Sequence, residues 1–247
     1  MVLALLASSL FPQRDPQRHQ SGDNRLTLAS PHIRDILAAS PVMPVIVLDR
    51  VEDAAPLARA LVTGGIRVLE VTMRSPAALE SVRAIRHQVP EAIVGVGTIV
   101  TVADFDAAVA AGAAFGVSPG SSDHLLAHVA QQQLPFLPGC MTPSDLMRAM
   151  EAGFDAVKLF PAKQAGGVEM LKALGGPFPR IAFCPTGGID ALSAPDYLRL
   201  PNVACVGGSW LAPANLVNSG DWEAIRLRAV AASALRAVAT ASGKTSR

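Results

Sequence analysis

The stretch Asp155-Ala156-Val157-Lys158-Leu159-Phe160-Pro161-Ala162 decides how the chain reads. It has the form of a short buried strand, with apolar residues on both sides of one lysine and Pro161 ending the run. Burial disfavours the ammonium form of a lysine. A lysine in this position therefore suits a site that needs the neutral amine, which attacks a ketone carbon and forms a Schiff base. The alternative is a stem that packs while its head reaches water. Only four lysines occur, Lys158, Lys163, Lys172 and Lys244, and Lys158 alone stands in a strand-like run.

Working outward, apolar runs alternate with helical patterns. A short helix is expected over 32–39, then a strand over 43–48 and a helix over 52–63 that Gly64-Gly65 stops. Strand 66–73 precedes helix 76–88, with Ser75 read as its cap and Pro76 at its first position. Strands over 92–97, 114–117, 135–138, 155–159, 180–184 and 203–206 follow, each with a helix after it. Those helices fall over 102–111, 122–132, 144–152, 167–174, 191–199 and 221–241. Continuous apolar strands are the mark of parallel sheet covered on both faces. Eight such units predict an α/β fold, a single closed (β/α)8 TIM barrel with an N-terminal helix, over residues 31–241. An open doubly wound sheet is less apt, because Asp49-Arg50 follows the first strand where a glycine fingerprint would be expected.

Composition agrees with a single large core. The chain has 247 residues, 50% of them hydrophobic, 17% charged and only 4% aromatic, with a formal net charge of +1. That balance offers no electrostatic footprint for nucleic acid or for an anionic membrane, and few rings on which bases could stack. Cys140, Cys184 and Cys205 are widely spaced and form no CxxC, so neither a disulfide framework nor a zinc site is expected, and a reduced, cytoplasmic setting fits. His124 and His128 are four apart but lack the glutamate of HExxH, so no metal is expected. The apolar run Val2 to Ala7 is too short to span a bilayer and lacks a basic start, and residues 12–25 are polar and proline-containing. Residues 1–30 read as a disordered extension and 242–247 as a frayed tail.

In such a barrel the C-terminal ends of the strands build the site. On strand two, Val68, Glu70, Thr72 and Arg74 share one face by alternation, which carries a carboxylate and a guanidinium toward the mouth. A Glu70–Arg74 pair that merely neutralises itself is the plainer reading. On strand three the same parity places Val94, Val96 and Thr98 inward, although a threonine there is often only a helix cap. Strand four ends at Ser118-Pro119-Gly120, and strand six carries Ala156, Lys158 and Phe160 on one face. Thr186-Gly187-Gly188 and Gly207-Gly208-Ser209 end the last two strands and offer backbone N–H groups for a phosphate. Glycine pairs also end helices, so either pair alone is ambiguous.

The segments MPVIV, RVLEVTMRS, EAIVGVGT, VSPG, KLFPA, GGV, FCPTGGI and VGGSWL together resemble the 2-keto-3-deoxy-6-phosphogluconate (KDPG) aldolases, a group that includes the bifunctional 4-hydroxy-2-oxoglutarate (KHG) aldolases. The resemblance spans residues 31–241. It implies a class I aldolase that uses no metal or other cofactor, acts on a small 2-keto acid and assembles as a homotrimer. It further implies Lys158 as the Schiff-base lysine and Glu70 as the proton shuttle, with Arg74 and Thr98 at the substrate carboxylate and Pro119 and Phe160 lining the pocket. Thr186, Gly187, Gly188, Gly207, Gly208 and Ser209 would then cradle the distal phosphate. Two features depart from the pattern: Cys140-Met141-Thr142-Pro143 after strand five, and the long N-terminal extension. The rival readings are a Schiff-base aldolase for another 2-keto-3-deoxy sugar acid such as the galactonate epimer, a phosphate-binding barrel isomerase, and a small-molecule binding barrel without activity.

Overall fold

The computed structural model describes residues 32–235, so the expected extension over 1–30, the tail over 242–247 and the end of the helix expected over 221–241 lie outside the described residues. Strands and helices alternate from the first turn. Helix α1 (Ile33–Ala38) leads to strand β1 (Val42–Ile46), and a 3-10 turn at Val51–Asp53 runs into α2 (Ala54–Thr63). Next come β2 (Val68–Thr72), α3 (Ala78–Gln88), β3 (Ile93–Gly97), α4 (Val102–Ala110), β4 (Gly116–Val117) and α5 (Asp123–Val129). Two short strands, β5 (Phe136–Leu137) and β6 (Gly139–Cys140), precede α6 (Pro143–Glu151) and β7 (Ala156–Leu159). The described chain ends with α7 (Gly167–Gly175), β8 (Ala182–Phe183), α8 (Ala194–Leu198), β9 (Val206–Gly208), α9 (Ala214–Ser219) and α10 (Trp222–Ser233). None of these helices is long and apolar enough to cross a membrane.

Side-chain caps start the helices where the sequence supplies them. Thr101 and Thr142 each accept from the N–H three residues on, and Asp104 and Asp145 return the bond, forming two capping boxes. Ser122 caps α5. Ser75, by contrast, is not the cap of α3: its hydroxyl donates to the Leu48 carbonyl, and the helix begins three residues later. Helix α9 was not anticipated, because six residues are too few to show a helical period.

The closed eight-stranded barrel is not what forms. Among the described residues nine strands lie in two parallel sheets, a six-stranded one in the order β5-β4-β3-β2-β1-β9 and a three-stranded one in the order β6-β7-β8. The ladder breaks where proline removes a donor. Pro138 splits the run expected as one strand over 135–138, so that β5 pairs with β4 while β6 pairs with β7. Pro185 cuts β8 short, and the contacts from there toward β9 are the isolated bridges Phe183 to Val203 and Thr186 to Gly207.

Two apolar layers flank the sheets. The larger lies between strands and helices and takes Leu69, Val71, Val94, Val96, Val157 and Leu159. The smaller is enclosed by the strands and holds Met43, Val68, Phe115, Val117, Leu137, Ala156 and Cys184, with Ile33, Ile36 and Leu37 of α1 packed on it. Arg34 fixes α1 at the N-terminal ends of the strands, since its guanidinium donates to the carbonyls of Asp155 and Arg180 and meets the Asp155 carboxylate at 2.9 Å. That plug leaves the C-terminal ends for the site.

The layers also correct the parity expected for strand three. Val94 and Val96 face the helices, whereas Gly95 and Gly97 face inward, because β3 pairs with β2 so that Glu70 sits beside Gly95 and Thr72 beside Gly97. The inward glycines make room. A Cβ on Gly95 would lie 2.5 Å from the Phe115 ring, and one on Gly97 would lie 2.1 Å from Glu70 Oε1.

Candidate active site

Glu70 and Lys158 leave opposite sheets and meet in the enclosed interior. Every residue of β2 is buried, so the Glu70 carboxylate has no route to water and must be satisfied inside. Lys158 Nζ satisfies it, donating to Oε1 at 2.9 Å and lying 3.3 Å from Oε2, with Lys158 only 4% exposed and Glu70 fully buried. Such a pair is poor value as a stability device, because desolvating both charges offsets much of their attraction. It is apt for chemistry: an amine and a carboxylate in hydrogen-bond contact pass a proton between them without reorganising. The plainer Glu70–Arg74 pairing is therefore not what forms.

The other expected residues fall around this pair at the strand ends. The Phe160 ring centroid lies 5.4 Å from Lys158 Nζ, within cation–π range. Gly139 is the strand partner of Lys158, and a Cβ there would run into the Pro119 backbone at 2.3 Å, so the Pro119 turn is brought directly over it. Ser118 supports that turn, its hydroxyl accepting from the Gly139 N–H at 3.0 Å. Arg74 stands two residues beyond β2, exposed, and its guanidinium makes no ion pair or hydrogen bond among the described residues. Thr98 is half-buried just after β3 and has φ 64°, a left-handed turn that breaks the strand alternation where the chain leaves the sheet. No hydrogen bond joins the side chains of Arg74 or Thr98 to the Glu70–Lys158 pair among the described residues.

The glycine turns lie against the Lys158 strand. The Ala162 N–H donates to the Thr186 carbonyl at 2.8 Å, the Lys163 N–H to the Gly187 carbonyl at 3.1 Å, and the Thr186 N–H to the Leu159 carbonyl at 2.9 Å. Gly187 and Gly188 both adopt positive φ, 102° and 72°, which glycine alone tolerates readily. Their N–H groups find no acceptor among the described residues. Gly207 differs, since its N–H is spent on the Pro185 carbonyl at 2.8 Å. Its role is to let the Thr186 hydroxyl approach, because a Cβ would sit 2.1 Å from Oγ1. Gly208 is likewise a packing glycine, lying under the Trp210 ring, and Ser209 is exposed beside it. A cleft of about 880 Å³ lies elsewhere, beside Arg34, Asp155 and Arg180 at the opposite end of the strands.

With an interior lysine–carboxylate pair and a glycine turn on one rim, the comparisons with known proteins become specific. The family model described as KDPG and KHG aldolase matches residues 33–227. The chain belongs to the KDPG and KHG aldolase family. That makes it a lyase of the aldolase kind. A 2-dehydro-3-deoxy-phosphogluconate aldolase of Pseudoalteromonas atlantica is 49% identical over 192 residues, covering 78% of this chain and 89% of the relative. A KHG/KDPG aldolase of Escherichia coli is 47% identical over 190 residues, covering 77% and 89%. Among solved structures, the KDPG aldolase of Legionella pneumophila, crystallised with pyruvate captured as a covalent carbinolamine intermediate, superimposes with a TM-score of 0.81 at 45% identity. That match covers 82% of this chain and 98% of the Legionella chain.

Two contacts beside these residues were not legible in the sequence. The expected parity put Val94, Val96 and Thr98 inward, so the approach of Gly97 to Glu70 follows only from the β2–β3 register. Lys163 was set aside as a helix-border lysine, yet its backbone and stem are fastened to the Gly187–Gly188 turn.

Proposed function

We propose that this family member cleaves KDPG to pyruvate and glyceraldehyde 3-phosphate through a Schiff base on Lys158, and KHG to pyruvate and glyoxylate by the same steps. The observation that carries the reading is the buried contact of 2.9 Å between Lys158 and Glu70. In the resting pair Lys158 donates to Glu70. When substrate enters, Glu70 takes that proton and the freed amine adds to the C2 carbonyl. Glu70 returns that proton to the carbinolamine hydroxyl, which leaves as water and gives an iminium ion; the carboxylate so restored takes the proton of the C4 hydroxyl, directly or through a water, as the iminium draws electrons from the C3–C4 bond. The enamine left behind regains a proton at C3, and hydrolysis of the imine returns Lys158 and frees pyruvate. Atoms and charge balance, and no redox partner is needed.

Arg74 supplies a free guanidinium at the rim for the substrate carboxylate, which its planar fork can hold bidentately, with Thr98 beside it. Pro119 and Phe160 shape the pocket around C2. The open N–H groups of Gly187 and Gly188 and the Ser209 hydroxyl take the distal phosphate, while Gly207 and Gly208 admit Thr186 and Trp210 behind them. The family model matches residues 33–227, which lie inside the unit we assign to residues 31–241, and we propose that this unit works as a homotrimer in the cytoplasm. An assay coupling pyruvate release to NADH oxidation by lactate dehydrogenase tests the reading. Wild type turns over KDPG, whereas Lys158→Ala shows no turnover above background. Near-normal activity of that variant would end the Schiff-base account.

A further inference from the structure

Lys163 is the described lysine whose ammonium has no partner. Lys158 is held by Glu70, and Lys172 meets Glu169 at 2.8 Å, but Lys163 makes no ion pair or side-chain hydrogen bond among the described residues. Its place is nevertheless fixed. The loop that carries it is stitched to the glycine turn by the bonds from Ala162 to Thr186 and from Lys163 to Gly187. Its stem lies flat on Gly188, where an added Cβ would come within 2.7 Å of Lys163 Cβ and 2.9 Å of its Cδ. The nearest acid does not claim it. Asp190 spends its carboxylate on the Ser193 N–H and hydroxyl and on the Leu192 N–H, which together hold that acid below the usual carboxylate range, with a smaller contribution from the Lys163 charge. A cation without a partner among the described residues thus has its stem packed on Gly188, in the turn whose two glycine N–H groups are open.

We propose that Lys163 is a specificity-determining residue that meets the anionic end of the substrate over Gly187–Gly188, so that this chain favours 2-keto acids ending in a phosphate over those ending in a neutral group. The inference rests on the aldolase reading above. Neutral N–H donors alone would hold a phosphate largely by geometry, whereas an added ammonium makes the hold charge-dependent and screened by salt.

The test compares kcat/KM for KDPG with kcat/KM for its unphosphorylated analogue, 2-keto-3-deoxygluconate. In wild type, Lys163→Arg, Lys163→Ala and Lys163→Glu the ratio is measured at low and high salt, together with borohydride trapping of pyruvate on Lys158. A contact of this kind at an exposed rim is worth about tenfold. Lys163→Ala should lower the ratio about tenfold, mainly through a higher KM for KDPG. Lys163→Glu should lower it further, Lys163→Arg should restore most of it, and the salt dependence for KDPG should weaken in Lys163→Ala. A ratio unchanged in Lys163→Ala, or equal losses on both substrates, would overturn the assignment while the pyruvate adduct still formed. If wild type trapped no pyruvate, the aldolase reading itself would fail, and the role of Lys163 with it.

Discussion

Gly97→Ala is the sharpest small perturbation of the Glu70–Lys158 pair. The new Cβ would lie 2.1 Å from Oε1, 2.6 Å from Cγ and 2.7 Å from Cδ of Glu70. Ordinary van der Waals contact begins near 3.4 Å, so the carboxylate must retreat by about 1.3 Å. It cannot do so freely, because Glu70 is fully buried and its Lys158 contact is already at 2.9 Å. A misplacement of about 1 Å in a catalytic group costs roughly 100-fold, about 2.7 kcal/mol in the barrier. The coupled pyruvate assay should therefore show kcat/KM for KDPG falling about 100-fold, in protein whose circular dichroism matches wild type. Gly95→Ala provides the contrast: its Cβ strikes the Phe115 ring and not the carboxylate, so it should lower Tm while the folded fraction keeps its activity. A folded Gly97→Ala enzyme within about threefold of wild type would refute the placement of Glu70 as the group that moves protons.

Two further predictions concern ordinary physical chemistry around the site. Burial pushes the Asp145 carboxyl up, but the N–H groups of Thr142 and Met141, the Thr142 hydroxyl and Arg148 outweigh it and hold the group below the usual range. Its stabilising effect is therefore present above about pH 3.9 and lost as pH falls through the lower folded value. Asp145→Asn should cost about 1 kcal/mol in urea denaturation at pH 7, and the gap should narrow as pH falls below about pH 3.9; a gap that stays constant as the pH is lowered through the acid range would contradict the capping account. Burial also pushes the Cys140 thiol up to about 12, and Cys184 and Cys205 are buried too. Native protein should leave all three cysteines unreacted with a thiol reagent near pH 8, and guanidinium should release all three; one fast native thiol would show that a strand end opens.

Period and punctuation made the helices and strands legible, because continuous apolar runs and Thr-x-x-Asp caps are local signals. The identity of the paired charges was legible as well, since a lysine inside KLFPA and a glutamate inside VLEVT are each costly unless used. What stayed hidden depends on register and on single backbone atoms. The inward face of β3 follows from pairing Glu70 with Gly95, which alternation within the strand cannot supply. Two prolines, Pro138 and Pro185, lie where the ladder breaks, so eight expected strands became nine in two sheets. Lys163 looked idle because its importance lies in the turn it rests on, 25 residues away at Gly188.

The account stands on covalent chemistry at one amine. Borohydride reduction in the presence of pyruvate, followed by peptide mass spectrometry, reads that amine directly. A pyruvyl adduct confined to Lys158, and absent without borohydride, is the predicted result. Folded protein with no adduct, or with the adduct on Lys163 or Lys172 instead, would contradict the central claim.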